Sequence, residues 1–139
     1  MAAAAYSARA YQSTAVDTSD RNHQVVLLFE AAVRFLTRAQ EAMARRDYEG
    51  QCNDIVRTQK ILCTLIGAVD VGVDPDAGQH LLTLYNWLHA NLTEASLRDD
   101  TNLLAEITQI MADVRDAWRQ AEQNLRTEQP DALPQDRAA

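Results

Sequence analysis

Apolar side chains recur every three or four residues through four successive stretches of this 139-residue chain, and this spacing constrains the fold more than any other feature. The stretches cover about residues 21–46, 47–69, 75–98 and 101–127. A period of 3.6 residues is typical of amphipathic helices. Long helices that are joined by short loops pack side by side in alternating directions. The sequence therefore predicts an all-α fold, an antiparallel up-and-down four-helix bundle over residues 20–127.

Side chains that favour helix ends separate the four stretches. Asp47 can cap the second helix, and Asp74, which precedes a proline, can cap the third. Gly72 permits a left-handed turn between these two helices. Residues 18–20 are expected to cap the first helix, and residues 99–101 to end the third and begin the fourth.

The apolar positions predict which face of each helix is buried. More large apolar side chains follow these faces than a two-position helical seam requires, so part of the surface is expected to meet a partner or the chain's own N-terminus. The expected inner positions are Val25, Leu28, Ala32, Phe35, Ala39 and Met43 with Val26, Phe29, Val33 and Leu36 on the first helix; Cys52, Ile55 or Val56, Gln59, Leu62, Ile66 and Val69 on the second; Leu81, Leu84, Tyr85, Leu88, Leu92 and Ala95 on the third; and Leu103, Ile107, Ile110, Val114, Ala117 or Trp118, Ala121 and Leu125 on the fourth.

Both ends of the chain depart from the helical pattern. Tyr6, Tyr11 and Val16 recur every five residues among small and polar side chains. One interpretation is an N-terminal strap over residues 1–19 that lies in an apolar groove of the bundle. The other is a frayed terminus whose tyrosines lie on the surface. Residues 128–139 are polar and include two prolines, which predicts a disordered C-terminal tail.

Charge and composition narrow the classes of function. Thirteen basic and 20 acidic residues give a net charge of −7, which disfavours binding to nucleic acid and to anionic lipid surfaces. The longest run of large apolar residues, 25–29, is far shorter than the ~20 residues that span a membrane. No signal-peptide pattern opens the chain, so the cytoplasm is the expected location. Cys52 and Cys63 are too far apart for a disulfide within one helix, so both are expected to be reduced thiols in the core.

The sequence carries no pattern of a known active site. No glutamate is followed three residues later by histidine, as a di-iron bundle requires. His80 and His89 lie on the third helix, but Lys60 is the sole lysine, which argues against a histidine phosphotransfer bundle. Zinc-site spacings, phosphate-binding loops and nucleophile motifs do not occur. We therefore expect no enzyme activity, no metal and no cofactor.

Four groups of short segments follow one another along the chain: Ala10-Tyr11 with Val16-Asp17-Thr18; Leu27-Leu28-Phe29-Glu30-Ala31-Ala32; Leu84-Tyr85-Asn86-Trp87-Leu88 with residues 92–100; and Val114-Arg115-Asp116-Ala117-Trp118. In this order they resemble motifs of the flagellin export chaperone family, FliS. The motifs are, in turn, a leading tyrosine with a T-A-S-P-like cap, an L-Y-D-G-A-like helix start, L-Y-x-Y-M followed by L-x-x-A-N, and a closing L-R-x-A-W. Arg21, Glu30-Ala31 and Ser96 stand where the family usually has proline, Asp-Gly and asparagine. Ser19 or Asp20 can still cap the first helix without the proline.

The resemblance implies binding rather than catalysis. Members of this family hold the C-terminal segment of flagellin in the cytosol, block its premature polymerisation and deliver it to the flagellar type III export apparatus. Such a segment is amphipathic and unfolded when free, so its partner must offer long apolar grooves. The alternative from another class is a structural or regulatory bundle that self-associates through the same apolar stripes, as a homodimer would, and has no secreted client.

The surplus of apolar surface, read with the resemblance, suggests which residues meet a partner. A strap that occupies part of the client groove would compete with flagellin or contact it directly. Trp118 is expected in the core rather than at the client surface. The candidate partner-binding residues are Tyr6, Tyr11 and Val16 in the strap, Val26 and Phe29 on the first helix, and Tyr85, Trp87, Leu88 and Leu92 on the third.

Overall fold

A computed structural model describes residues 18–128, and over this range the chain forms four α-helices joined by short connections. Helix α1 spans Thr18–Ala44, α2 spans Tyr48–Ala68, α3 spans Pro75–Arg98 and α4 spans Thr101–Glu128. Each helix packs against the next one in the chain, and α4 also packs against α1, so the helices surround one core. The predicted all-α, up-and-down four-helix bundle is confirmed.

Most of the predicted strap and tail lies outside the described residues. Tyr6, Tyr11 and Val16 all fall in residues 1–17, and residues 129–139 include nearly all of the predicted tail. Helix α1 begins at Thr18, so it already includes the expected capping residues 18–20. Residues 18–20 therefore form its first turn, where the Asp20 carboxylate favours the positive end of the helix dipole.

Aspartate side chains cap the other three helices at the predicted positions. Each carboxylate accepts a hydrogen bond from a backbone N–H in the first turn, which would otherwise have no partner inside the helix. The pairs are Asp47 with Gly50 at 3.0 Å, Asp74 with Ala77 at 3.2 Å and Asp100 with Leu103 at 3.0 Å.

The turns between helices differ from expectation at Gly72. No glycine among the described residues has a positive φ, so the left-handed turn that Gly72 permits does not form. The Gly72 amide instead donates to the side chain of Asp70 at 2.9 Å, and this side chain shapes the turn. The left-handed residues are Arg46 and Asp99, each at the end of a helix. Aspartate tolerates this conformation better than most side chains.

The core follows the predicted stripes on α1 and α3 and is shifted by one residue along parts of α4. Leu104 and Met111 are fully buried, whereas the predicted Leu103 and Ile110 are half-buried. Trp118 is buried, as predicted. The central side chains are Val26, Phe29, Ala32, Leu36, Ala39, Met43, Ile55, Leu62, Leu65, Leu81, Tyr85, Leu88, Leu92, Ala95, Leu104, Ile107, Met111, Val114, Trp118 and Ala121.

Helix α2 is rotated relative to the predicted inner face. Cys52 and Cys63 are exposed, so the expectation that both are core thiols is wrong. Asp54 and Thr58 are buried in their place. This rotation is tolerated because the buried polar groups have partners: Arg57 donates to Asp54 at 2.9 Å, and the Thr58 hydroxyl donates to the Asp54 carbonyl at 3.0 Å.

Candidate partner-binding site

An apolar cleft opens at the end of the bundle where α2 leads into α3. Its empty space, counted to the open mouth, is about 470 Å³. All four helices and the connection between α2 and α3 contribute to it, so it depends on the assembled bundle rather than on any one segment. The lining residues are Val25, Leu65, Ala68, Val69, Asp70, Val73, Asp74, Ala77, Gly78, Leu81, Tyr85 and Trp118.

The lip of the cleft is formed by the α2–α3 connection, and Gly78 determines how closely this connection approaches α3. A Cβ atom on Gly78 would lie 3.0 Å from the Cα atom of Val71 and 3.0 Å from its Cγ1 atom. A distance this short would force the connection away from the helix. Glycine at this position therefore lets the backbone of the lip lie directly on α3.

The floor of the cleft is aromatic and uncharged. The rings of Phe29 and Tyr85 have centroids 6.1 Å apart and are inclined by 46°, an arrangement favoured by aromatic pairs. Burial raises the pKa of the Tyr85 hydroxyl well above its ordinary value, and the nearby Trp118 indole offsets part of this rise. The Tyr85 hydroxyl is therefore neutral at physiological pH. The Nε1 atom of Trp118 is buried without a hydrogen-bond partner of good geometry.

Asn22 is a second buried polar residue at this end of the bundle. Only 1 % of it is exposed, and neither of its side-chain amide atoms has a hydrogen-bond partner within residues 18–128. Its neighbour His23 places Nδ1 3.1 Å from Glu122, which fixes this turn of α1 against α4. A buried polar group without a partner costs about 1–3 kcal/mol. This end of the bundle is thus not optimised for the stability of the free chain.

The side of the bundle where α3 meets α4 is a second candidate surface, which we call the α3–α4 groove. These two helices pack less closely than the other three neighbouring pairs. Gln59 of α2 donates to the His89 carbonyl at 3.0 Å and to the Thr93 hydroxyl at 2.7 Å, so this side of α3 faces α2. Helical spacing then places Leu84 and Trp87 on the opposite side of α3, toward α4.

The side chains that line this groove are more exposed than those of the core. Trp87 is 41 % exposed, which is unusual for the largest apolar side chain. The partly buried residues that pack against the core here are Leu84 on α3 and Leu103, Ile110 and Ala117 on α4. The three on α4 are spaced by seven residues, so they form a straight stripe along that helix.

The opposite side of α4 faces α1 across an open depression with a mostly charged lining, which includes Glu30, Arg34 and Arg115. Arg119 donates to Glu30, and this hydrogen bond is the main reason why the pKa of Glu30 is lowered; partial burial opposes it. The same hydrogen bond raises the pKa of Arg119. Arg126 and His23 both contact Glu122. The Arg119–Glu30 and His23–Glu122 contacts join α1 to α4, whereas Arg126 lies on the same helix as Glu122. Helices α1 and α4 also pack more closely than α3 and α4.

The predicted partner-binding residues lie in three settings. Tyr85 belongs to the floor of the cleft, and Trp87 is exposed in the α3–α4 groove. Tyr6, Tyr11 and Val16 lie outside the described residues. The structure brings Tyr85 and Trp87 to the two candidate surfaces and places most of the others beneath them. The buried ones, each at most 3 % exposed, are Val26, Phe29, Tyr85, Leu88 and Leu92.

Sequence reasoning missed most of the cleft. Leu65, Val69 and Val73 form its walls, but only Val69 was assigned to an inner face and none was assigned to a partner. One signal was present, since Val71 and Val73 flank Gly72 in a connection where polar residues are usual. Apolar side chains in such a turn indicate that the turn covers or lines an apolar surface.

The surfaces of the described chain offer apolar contact rather than metal chemistry. Between residues 18 and 128, no group of three or more His, Cys, Asp or Glu side chains is placed to hold a metal ion. None of the helices in this range is both long and apolar enough to cross a lipid bilayer.

Residues 18–128 thus form a four-helix bundle with an apolar cleft at one end and exposed apolar side chains on α3. The sequence matches the family described as "Flagellar protein FliS" over residues 2–125, nearly its whole length, and the chain belongs to this family. The family is one of chaperones, a non-enzymatic class of protein.

Curated relatives carry the name of flagellar secretion chaperones. The chain is 27 % identical over 117 residues to FliS of Bacillus subtilis, covering 84 % of this chain and 86 % of that protein. It is 25 % identical over 112 residues to FliS of Escherichia coli, covering 78 % and 80 % of the two chains. It is also 29 % identical over 112 residues to FliSB of Pseudomonas aeruginosa, covering 78 % and 89 %.

Proposed function

We propose that this protein binds the C-terminal segment of flagellin in the cytoplasm, prevents its premature polymerisation and assists its delivery to the flagellar type III export apparatus. Membership of the FliS family supports this function. The structural observation that carries it is the apolar cleft at the end of the bundle where α2 leads into α3, together with the exposed Trp87 on α3.

The cleft has the chemistry to accept apolar anchors of an amphipathic segment. Sites that bury most of a bound group are typically lined by apolar and aromatic side chains. Apolar walls formed by Leu65, Val73 and Leu81 suit the side chains that an amphipathic helix presents at positions i, i+3, i+4 and i+7. The rim supplies Asp70 and Asp74, so polar groups of the client can remain at the mouth.

The α3–α4 groove extends the surface over which a client can be wrapped. Helix α3 has 24 residues and is therefore about 36 Å long at 1.5 Å per residue. Exposed tryptophans are typical anchors of protein interfaces, and Trp87 has this role in the proposal. An unfolded segment loses conformational entropy when it is ordered, so a long contact surface is needed to offset that cost.

The N-terminal segment is the proposed competitor for this surface. Tyr6, Tyr11 and Val16 would occupy part of the client site in the free protein and yield to flagellin. Competition lowers the apparent affinity by the fraction of molecules with an open site. Deletion of residues 2–17 should therefore change the affinity for the client, whether by removing a competitor or by removing direct contacts. Unchanged affinity in calorimetry would exclude both versions.

Calorimetry with a flagellin peptide tests the function directly. The peptide is the last ~50 residues of the organism's own flagellin, a length suited to wrapping 1,000–3,000 Å². The wild-type chain is expected to bind it, and Trp87→Ala to bind it at least about tenfold more weakly. Leu27→Ala, at an exposed position on α1, is the matched control and should bind like the wild type. No binding by the wild type would overturn the proposed function.

Delivery and location are tested in cells. Deletion of the gene should lower the amount of flagellin in the culture medium, and the wild-type gene should restore it. A flagellin that lacks its last ~50 residues, the length assigned above to the wrapped segment, should no longer co-purify with the chain. Fractionation should recover the chaperone with the cytoplasm. Unchanged flagellin export in the deletion strain would contradict the delivery step.

A further inference from the structure

The open depression between α1 and α4 concentrates arginine on an otherwise acidic molecule. Four of the chain's 13 basic residues line it beside two glutamates, although the whole chain has a net charge of −7. We call this surface the arginine depression. It shares no residue with the apolar cleft. Its charged members are Glu30, Arg34, Arg38 and Glu41 on α1 and Arg115 and Arg119 on α4.

Two neighbouring helices hold these side chains along one line. The α1 members are spaced by three or four residues from Glu30 to Glu41, as on one face of a helix. This span corresponds to about 17 Å along the helix at 1.5 Å per residue. Arg115 and Arg119 are four residues apart and therefore lie one turn apart on the side of α4 that faces α1. The arginine depression can thus receive a short segment of chain laid along both helices.

Arg34 is the member whose charge is free for a partner. Its side chain is exposed, and it forms no ion pair within residues 18–128. Arg38 and Arg115 each use Nε for an acidic neighbour, Asp54 at 3.6 Å and Asp116 at 3.1 Å. Because a guanidinium has five N–H donors, the terminal nitrogens of both arginines can still donate to a further carboxylate.

The chain's own Glu30 shows that these arginines bind a carboxyl group. Arg119 donates a hydrogen bond to Glu30, and this contact is the largest cause of the lowered pKa of that carboxyl. The charges of Arg115 and Arg34 lower the pKa of Glu30 further, so both guanidinium groups act on the same carboxylate. One carboxylate does not balance three guanidinium groups. The arginine depression therefore has donors and positive charge to offer to a second one.

The arrangement fits a short acidic protein segment better than a long polyanion. The planar guanidinium fork matches the two oxygens of a carboxylate. A nucleic acid or an anionic membrane extends beyond the arginine depression and meets the net negative charge of the rest of the chain, which repels it. An acidic segment of a few turns contacts the arginines alone. Half-buried Val33 in the lining adds an apolar contact for such a segment.

We propose that the arginine depression is a docking site for an acidic segment of a partner protein, with Arg34 and Arg115 as its main contacts. Arg119 joins them when a carboxylate of the segment displaces Glu30. The site lies on the α1–α4 side of the bundle, so it leaves the apolar cleft and the α3–α4 groove open. A client and an acidic segment can therefore be bound at the same time. This inference goes beyond the proposed function and does not depend on it.

A charge reversal in the full-length chain tests the site. The probe is a fluorescein-labelled alanine peptide of about 12 residues with glutamate at every third or fourth position, a length matched to the α1 face. In fluorescence anisotropy at low salt the wild type is expected to bind it, and Arg34→Glu to bind it at least about tenfold more weakly. Arg98→Glu makes the same charge change at an exposed position of α3 and should weaken binding less than about twofold. A peptide with glutamine in place of glutamate should not bind.

A second variant is expected to gain affinity, which a loss of folding cannot produce. Glu30→Gln removes the carboxylate that engages Arg119, so the acidic probe should bind at least about threefold more tightly. Glu106→Gln removes the same charge at an exposed position of α4 outside the arginine depression and should bind the probe like the wild type. Circular dichroism checks that every variant keeps the helical fold.

Three results would overturn the proposal. Equal losses in Arg34→Glu and Arg98→Glu would show that only net charge matters. Tighter binding of a single-stranded DNA oligonucleotide or of anionic lipid vesicles than of the acidic probe would assign the surface to a polyanion. Loss of flagellin-peptide binding in Arg34→Glu would assign it to the client. Failure of the proposed function is distinct, because it would appear as a wild-type chain that binds the acidic probe but not the flagellin peptide.

Discussion

The two ends of the bundle are built differently. At one end, α1 joins α2 and α3 joins α4 through tight turns that contain the left-handed residues Arg46 and Asp99. Gln51 connects these turns, since its amide nitrogen donates to the Ser96 carbonyl at 3.3 Å and to the Asp99 carboxylate at 3.0 Å. At the other end, the longer α2–α3 connection borders the apolar cleft. Of the four buried side-chain polar atoms without a hydrogen-bond partner among the described residues, three belong to Asn22 and Trp118 at this end and one, Oε1 of Gln51, lies at the first end.

This difference indicates a division of roles within one small domain. The closed end is held by caps and by a hydrogen bond between helices, which fix the order of the helices. The open end contains apolar walls and three of the four unpaired buried polar atoms, features that cost stability in the free chain and favour a bound partner. Substitutions at the two ends of the bundle should therefore affect stability and client binding separately.

The largest expected effect on stability comes from replacing Trp118, the tryptophan at the floor of the cleft. Trp118→Ala removes a buried side chain and should lower the free energy of unfolding by about 3–5 kcal/mol, measured by denaturant titration. Trp87→Ala is the matched control, because it removes an exposed indole and should cost less than about 1 kcal/mol. A Trp118→Ala variant of wild-type stability that binds the client weakly would instead assign this residue to the client contact.

The next effect concerns the closed end. Gln51→Ala removes the link between α2 and the end of α3 and should cost about 1–3 kcal/mol of unfolding free energy. Client affinity in calorimetry should stay unchanged. Gln120→Ala is the control, since its amide bonds only to Asn124 on the same exposed helix face. A loss of client affinity in Gln51→Ala at a temperature where it is folded would contradict the separation of the two ends.

Substitution of two glycines by alanine should have smaller effects on stability, of opposite sign. Gly78→Ala puts a Cβ against the backbone of Val71 and should lower stability by about 1 kcal/mol despite the better helix propensity of alanine. It should also weaken client binding, because the lip of the cleft must move. Gly67→Ala meets open space and should raise the midpoint of thermal unfolding through the same propensity, with a gain of about 1 kcal/mol. Equal shifts in both variants would show that the lip does not rest on Gly78.

The smallest effect is a pH dependence on the α1–α4 side. The hydrogen bond from Arg119 lowers the pKa of Glu30 in the folded chain. The ionised Glu30 therefore contributes to the free energy of unfolding above the ordinary carboxyl pKa of 4.5, and this contribution is lost as the pH falls through the lower pKa of the folded chain. The pair is partly exposed, so this contribution is below about 1 kcal/mol. Glu30→Gln should therefore lose less stability than the wild type between neutral and acidic pH in urea titrations. Parallel curves for the two proteins would show that the pair contributes nothing.

Features that depend on local sequence were predictable in this chain. The order of the helices and the caps at Asp47, Asp74 and Asp100 follow from spacing and from side chains within one turn. Trp118 was also predicted as core, since it continues the regular stripe of α4. Each of these features depends on a few residues that are close in sequence and little on contacts between helices.

Features that depend on contacts between helices were not predictable. Helix α2 buries Asp54 because arginines from α1 and α2 lie beside it, and no apolar pattern indicates such a partner. Its rotation then exposes Cys52, which a hydrophobicity pattern assigns to the core. The cleft was missed for a similar reason, because its walls come from all four helices and a turn that owes its shape to the side chain of Asp70.

The acidic mouth of the cleft has a consequence for the sequences that can enter it. Asp70 and Asp74 are fixed there by hydrogen bonds to the Gly72 and Ala77 amides, so their charges cannot swing away from an incoming chain. A segment with lysine or arginine beside its apolar anchor is attracted during encounter, and one with glutamate there is repelled. Association of a basic-flanked segment should accordingly slow as salt is added, while an acidic-flanked segment should associate faster.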